Sequence, residues 1–185
     1  MPATPQQLFD LLQSLGIETE THQHEAVFTV EQSTALHQRI EGGHTKNLFV
    51  KDKKDNYFLI VAEGHARIPM NRIHPLVGAS SRLSFANADR LMEFLGVEPG
   101  SVTAFSVMND THKRVRLFID APLLRHELIN CHPLKNTMTT TISKADLLRF
   151  LSHVEHEPVV VQLSTVDGED ADAQIATAPD SAIQE

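Results

Sequence analysis

Gly42-Gly43-His44-Thr45-Lys46-Asn47 places two glycines, an imidazole, a hydroxyl, an ammonium and an amide in one short stretch. Glycines let a backbone approach a ligand closely, and Thr, Lys and Asn then offer three kinds of donor in succession. The stretch lacks the G-x-x-x-x-G-K-[ST] spacing, and its lysine opens a strand where a phosphate loop would run into a helix. A tight turn followed by a solvated lysine is the ordinary alternative. His132 is the second candidate, because Pro133 fixes the chain as it leaves a strand and can hold the imidazole as a positioned donor or acceptor. A satisfied structural histidine fits the same local sequence.

Other constellations carry less. Cys131 and His132 are adjacent, so on a strand they face opposite sides and form no thiol–imidazole pair. Cys131 is expected to be a small buried hydrophobe. Among the 11 histidines, His22 and His24 are two apart and His153 and His156 three apart, but neither pair has a third ligand nearby in sequence, so no metal is expected. Lys51, Lys53 and Lys54 fall in one polar connection, and His112, Lys113, Arg114 and Arg116 in or beside another. If both connections share a face with the glycine pair, they would form a rim for phosphates.

The elements that must position these residues are signalled locally. Thr4, Pro5 and Gln7 open a helix with Leu8, Leu11, Leu12 and Leu15 on one stripe, and Gly16 closes it. Thr29 and Gln32 open a second helix ending at Gly42-Gly43. Leu48–Val50 and Tyr57–Ala62 read as a β-hairpin whose tip carries the lysines. Pro69, Pro75 and Gly78 break any long helix between Gly64 and Ser81. Asn87 caps a short helix closed by Gly96. Strands are expected at Val102–Met108, Val115–Ile119, Leu128–Cys131 and Met138–Ile142, with an edge strand at Val159–Leu163. Ser143 and Asp146 open the last helix. The order lacks strict βαβ alternation, so an α+β fold is expected, a mixed β-sheet with helices packed around it.

Composition narrows the function class. The chain has 185 residues, 41% hydrophobic and 22% charged, enough for one core. Its net charge of −8 argues at first against a nucleic-acid partner. Residues 167–185, however, hold six of the 24 acidic residues and no Lys or Arg; without them 18 acids face 16 basic residues, a net of −2. A domain over 1–166 and an acidic, disordered tail over 167–185 are expected, and the near-neutral body permits a local basic surface. One cysteine permits no internal disulfide and no multi-cysteine metal scheme. No apolar run reaches the ~18 residues of a membrane span, and MPATPQQ has no signal-peptide pattern, so a cytoplasmic protein is expected.

The glycine-pair stretch, continued through Leu48-Phe49 and Lys51-Asp52-Lys53-Lys54, resembles the signature of freestanding prolyl-tRNA editing proteins, the YbaK/ProX-like trans-editing deacylases. Supporting segments are His24-Glu25-Ala26-Val27-Phe28-Thr29-Val30-Glu31, Arg82-Leu83-Ser84-Phe85-Ala86 and Leu95-Gly96-Val97-Glu98-Pro99-Gly100. Asn109-Asp110-Thr111, His132-Pro133-Leu134, Asn136-Thr137 and Thr139-Thr140-Thr141-Ile142 follow in the family's order, so the resemblance covers residues 5 to 157.

The resemblance implies hydrolysis of a mischarged aminoacyl-tRNA, with alanyl-tRNA(Pro) the substrate of the most similar subgroup, and needs no metal or other cofactor. It implies Lys46 and His132 as the principal functional side chains, with Asn47 beside the lysine. Gly43, His44, Thr45, Phe28, Val30, Asn136 and Thr137 would contact substrate. The implied partners are tRNA and prolyl-tRNA synthetase, for a protein acting as a monomer or weak dimer away from membranes. A non-catalytic module binding the tRNA end or the synthetase is the alternative.

Overall fold

Strict two-residue alternation along the central strands sorts the interior into two apolar layers. In the computed structural model, which describes residues 1–27 and 29–165, β3 (Tyr57–Glu63) sends Tyr57, Leu59 and Val61 to one face and Phe58, Ile60 and Ala62 to the other. Both faces are covered, so this strand reads as a continuous apolar run. The first layer receives α1 (Pro5–Ser14), α3 (Ala88–Leu95) and α4 (Lys144–His153) through Leu8, Leu12, Leu91, Leu95, Leu147 and Phe150. The second is closed by the irregular segment bearing Ile68, Met70, Ile73 and Val77, with Leu163 from the end of the described chain.

Helix starts follow their caps. Thr4 and Gln7 exchange backbone-to-side-chain hydrogen bonds at the head of α1, and Thr29 and Gln32 do the same for α2 (Val30–Arg39). Asn87 and Ser143 cap α3 and α4, and Gly96 ends α3 in the left-handed conformation at φ 65°. The sheet is mixed, as expected. Beyond β3 it contains β1 (Glu20–Gln23), β2 (Gly43–Lys51), β4 (Ser84–Phe85), β5 (Val115–Asp120), β6 (Leu128–Cys131), β7 (Met138–Ser143) and β8 (Val159–Val161). The order is β1-β7-β6-β2-β3-β5-β8; the β6–β2, β3–β5 and β5–β8 pairs are parallel, the others antiparallel.

One feature of this sheet matters for the site. On the edge of β2 away from β3, β6 pairs only with Gly43 and His44, while β4 pairs with Val50 and Lys51. In the described ladders no strand pairs with that edge from Thr45 to Phe49, so the sheet splits where Lys46 and Asn47 lie.

The structure corrects several expectations. Val102–Met108 is not a strand: Thr103 caps a 3-10 helix over Ala104–Asn109. Ala104 to Val107 are all buried, and a short run buried on every side carries no period to separate helix from strand. β1, β4 and a 3-10 turn over Ala121–Arg125 were not foreseen; β1 is polar and exists through its register with β7. The expected tail over 167–185 lies outside the described residues. Among the described residues, no helix is long and apolar enough to cross a membrane.

Candidate active site

The glycine pair admits β6 to the start of β2. Gly42 has φ 112°, and a Cβ there would stand 2.8 Å from the Leu128 carbonyl oxygen; one on Gly43 would stand 2.5 Å from the His126 ring. Only glycine fits this approach. Beyond it, alternation along β2 puts His44 and Lys46 on one face, Thr45 and Asn47 on the other. His44 donates from Nε2 to the Ile40 carbonyl at 2.9 Å and stacks on His37 of α2 with ring centroids 3.9 Å apart. Thr45 donates to the Asn130 carbonyl at 2.8 Å. Lys46, half-buried, donates from Nζ to the Ala66 carbonyl. Asn47 is buried, and neither of its amide atoms has a hydrogen-bond partner among the described residues.

His132 follows β6 directly. Its Nδ1–H donates to the Met138 carbonyl at 2.9 Å, within a turn that puts Leu134 at φ 67°. Burial, with His24 and His44 nearby, lowers its pKa to about 4, so the ring is neutral at physiological pH and Nε2 is an acceptor. Burial also lowers His37 to about 4, with His44, His65 and His132 adding to the effect. His24 repeats the pattern: Nδ1–H donates to the Glu25 carbonyl at 2.7 Å, and in that tautomer Nε2 accepts from the Thr139 hydroxyl at 2.8 Å.

These groups meet in a small recess. Ser33, Leu36 and His37 of α2 face His44 and Thr45 of β2, His132 and Thr139, with Val27 at the side. Its free volume is about 20 Å3, space for one water or one methyl group. Thr45 and Thr139 have committed their hydroxyl protons to Asn130 and His24, so both show lone pairs, as His132 Nε2 does. The polar wall is therefore rich in acceptors.

The residues expected at the site are partly gathered here. Gly43 shapes the entry, and His44, Thr45 and His132 line the recess. Lys46 and Asn47 lie just beyond, on opposite faces of β2. Asn136 and Thr137 do not line the recess: the Asn136 N–H donates to Ser101 Oγ, and the Thr137 carbonyl accepts from the His24 N–H. Phe28 and the side chain of Val30 lie outside the described residues. His24, Ser33, His37 and Thr139 are not among the expected site residues; the segments holding His24 and Thr139 carry the family resemblance, but the Thr-rich run reads as a strand and His24 as half of a metal pair.

The remaining candidates separate. Cys131 is fully buried and burial pushes its thiol up to about 12, so it offers no thiolate. His22 pairs with Glu20 at 3.3 Å, and His156 is bonded to Asp110 at 3.0 Å. Among the described residues no group of three or more His, Cys, Asp or Glu is arranged to hold a metal ion. The two basic connections do share one end of the sheet, since Tyr57 pairs with Val115. The length of β2 puts that end about 26 Å from the glycine pair, so they form no common rim with it.

Several known proteins are similar to this chain. Residues 24–150 match the family model described as the aminoacyl-tRNA editing domain. The chain is 37% identical over 157 residues to prolyl-tRNA synthetase associated domain-containing protein 1 of Danio rerio, covering 84% of this chain and 85% of that protein. It is 31% identical over 137 residues to the prolyl-tRNA editing protein ProX of Acetoanaerobium sticklandii, covering 74% and 83%. A solved structure described as a candidate trans-editing enzyme for prolyl tRNA synthetase shares the fold, with a TM-score of 0.67 at 16% identity over 90% of this chain and all of that one. The expected resemblance is thereby shown, and the chain belongs to the aminoacyl-tRNA editing domain family.

Proposed function

We propose that this protein hydrolyses mischarged aminoacyl-tRNA in trans, with alanyl-tRNA(Pro) as its substrate. The supporting observation is the recess of about 20 Å3 beside neutral His132. An alanine methyl matches that volume, whereas the three ring methylenes of proline overfill it. A synthetase site built for proline rejects the smaller alanine by only about 1–3 kcal/mol, so a hydrolytic second sieve makes up the difference. Prolyl-tRNA synthetase, which makes the error, is the protein partner this reading suggests.

An aminoacyl ester is already activated, so a held water suffices as nucleophile. His132 Nε2 and the Thr139 and Thr45 oxygens accept from that water and from the substrate's ammonium group. An acceptor nitrogen cannot hydrogen-bond the ester carbonyl oxygen, so a donor must serve it, and Lys46 is the candidate cation at the split in the sheet. Lys46 would hold the ester region or the terminal phosphate, while Asn47 and backbone N–H groups near Gly43 stabilise the developing oxyanion. The water oxygen bonds the carbonyl carbon and the ester C–O bond breaks. The water's proton passes through the neighbouring ribose hydroxyl to the departing ribose oxygen, since a histidine with a pKa near 4 is a weak base.

The test is single-turnover deacylation of alanyl-, seryl-, cysteinyl- and prolyl-tRNA by wild type and Lys46→Ala. Alanyl-tRNA should be cleaved fastest, and Lys46→Ala should lose about a hundredfold or more. Retention of rate within a few-fold removes Lys46 from the reaction. Tight binding without turnover marks a binding module instead.

A further inference from the structure

The described chain is fastened down to its last residue. Leu163 is buried in the second apolar layer, and the N–H groups of Leu163 and Ser164 donate to Asp120 Oδ1 at 2.7 and 3.0 Å. The Thr165 N–H then donates to the Arg67 carbonyl at 3.0 Å. The carbonyl one residue earlier, that of Ala66, accepts from Lys46 Nζ. The chain therefore runs on towards residues 167–185 from a point beside the lysine of the site.

The surface at this exit is cationic. Residues 64–88 contain His65, Arg67, Arg72, His74 and Arg82 and no Asp or Glu, and His65, Arg67 and Arg72 are exposed. Glu63, just before them, pairs with His126 at 3.1 Å. Asp52 and Asp120 commit carboxylate oxygens to N–H groups of Ser80 and of Leu163 and Ser164. Residues 167–185, outside the described residues, hold six acids and no Lys or Arg, with Asp167, Glu169, Asp170 and Asp172 at their start. An extended chain gains at most about 3.5 Å per residue, so Asp167 stays within about 7 Å of Thr165 and Asp172 can reach about 25 Å. Lys46, Arg67 and Arg72 fall inside that reach, and the tether holds the carboxylates there at about millimolar effective concentration.

We propose that the acidic segment 167–185 docks in cis on the Arg67–Arg72 surface beside Lys46, where its carboxylates take the place of tRNA phosphates until tRNA displaces them. The contact itself stands apart from the deacylase reading above; the competition with tRNA rests on that reading. A single phosphate cannot replace several tethered carboxylates, so small anions are kept from Lys46, whereas a tRNA brings many phosphates at once.

The test puts a nitroxide spin label on Ala171→Cys in the full-length protein; Cys131, buried and with its thiol pushed up to about 12, stays unlabelled. At low salt the label should broaden the amide signals of His65, Ala66, Arg67 and Arg72. The tether alone broadens amides beside Thr165, so the control carries the same label with Asp167→Asn, Glu169→Gln, Asp170→Asn and Asp172→Asn. There, and in Arg67→Gln with the native acids, the broadening should fall at least about twofold. Equal broadening with and without the four charges, or broadening centred on Lys51–Lys54 or Arg114–Arg116, overturns the docking. Broadening of unlabelled by labelled protein in a mixture assigns the contact to a second copy and overturns it likewise. Binding of unacylated tRNA(Pro) is followed by fluorescence anisotropy on the full-length chains. The fourfold-neutralised chain should bind about tenfold tighter at low salt and lose affinity more steeply as salt rises, since salt then weakens one contact rather than two opposing ones. Unchanged affinity overturns the competition. Neither readout needs turnover, so absence of hydrolysis in a deacylation assay removes the deacylase and leaves the docking.

Discussion

The Nδ1–H of His132 donates to the backbone carbonyl of Met138 across 2.9 Å, and this bond decides which nitrogen the ring shows to the recess. With Nδ1 committed and the ring held neutral by burial, Nε2 is a fixed acceptor beside Thr139. The same turn carries the sequence from β6 to β7, so ring orientation is inherited from strand pairing.

His132 lines the recess. His132→Ala should enlarge it, so that hydrolysis of alanyl-tRNA(Pro) falls and hydrolysis of prolyl-tRNA(Pro) emerges. Paired deacylation time courses check both arms, and an enzyme unchanged on both substrates removes His132 from the site.

Stability should depend on pH through two imidazoles, buried His132 and half-buried His37. His132 and His37 are each lowered from 6.5 to about 4, burial being the main cause. Between these values the unfolded chain binds protons that the folded one refuses, so stability falls as pH drops from 6.5 towards 4 and levels off below. The slope is at most about 1.4 kcal/mol per pH unit for each ring, and less for His37, which keeps part of its ring in water. Urea midpoints across the window measure it. A flat profile would mean that neither ring resists protonation.

The cap of α2 should matter more for activity than for global stability. Thr29→Ala removes the acceptor for the Gln32 N–H and costs about 1 kcal/mol of helix stability. Because α2 walls both the recess and a larger cleft that shares Val27 and Leu36 with it, faster hydrogen exchange of its amides should accompany a raised KM for alanyl-tRNA. A lowered melting temperature with KM unmoved would separate α2 from substrate binding.

Deleting residues 167–185 should leave single-turnover deacylation at saturating protein within about twofold of wild type, and added salt should weaken tRNA binding by the full chain only modestly, as expected for few phosphate contacts. Loss of activity in the truncated chain would show that the acidic segment takes part in the reaction itself.

The split in legibility follows from the range of the forces involved. Thr4 with Gln7, Thr29 with Gln32, Asn87 with Gly96 and Ser143 bond within a few residues, and their helices begin where sequence predicts. The alternation in β3 and β5 is equally local. Ala104–Asn109 also has a local cap in Thr103, but burial on all sides made its run indistinguishable from a strand. Of the site, Lys46, Asn47 and His132 drew notice because unusual neighbours surround them. His24, His37 and Thr139 have ordinary neighbours; their importance comes from partners 115 residues away for His24 and from a ring on another element for His37.

By itself the sequence determined the helix starts, the two-faced strands and the family, because caps, periodicity and contiguous motifs act between near neighbours; the second helix, expected to run to Gly42-Gly43, ends at Arg39. Only the tertiary structure decided that the sheet opens beside Lys46, that His132 presents an acceptor, and that Val27 and Leu36 line both a water-sized recess and a larger cleft of about 490 Å3. Each of these depends on backbone groups from strands far apart in the chain meeting in one register, and register is set by the packing of the whole sheet.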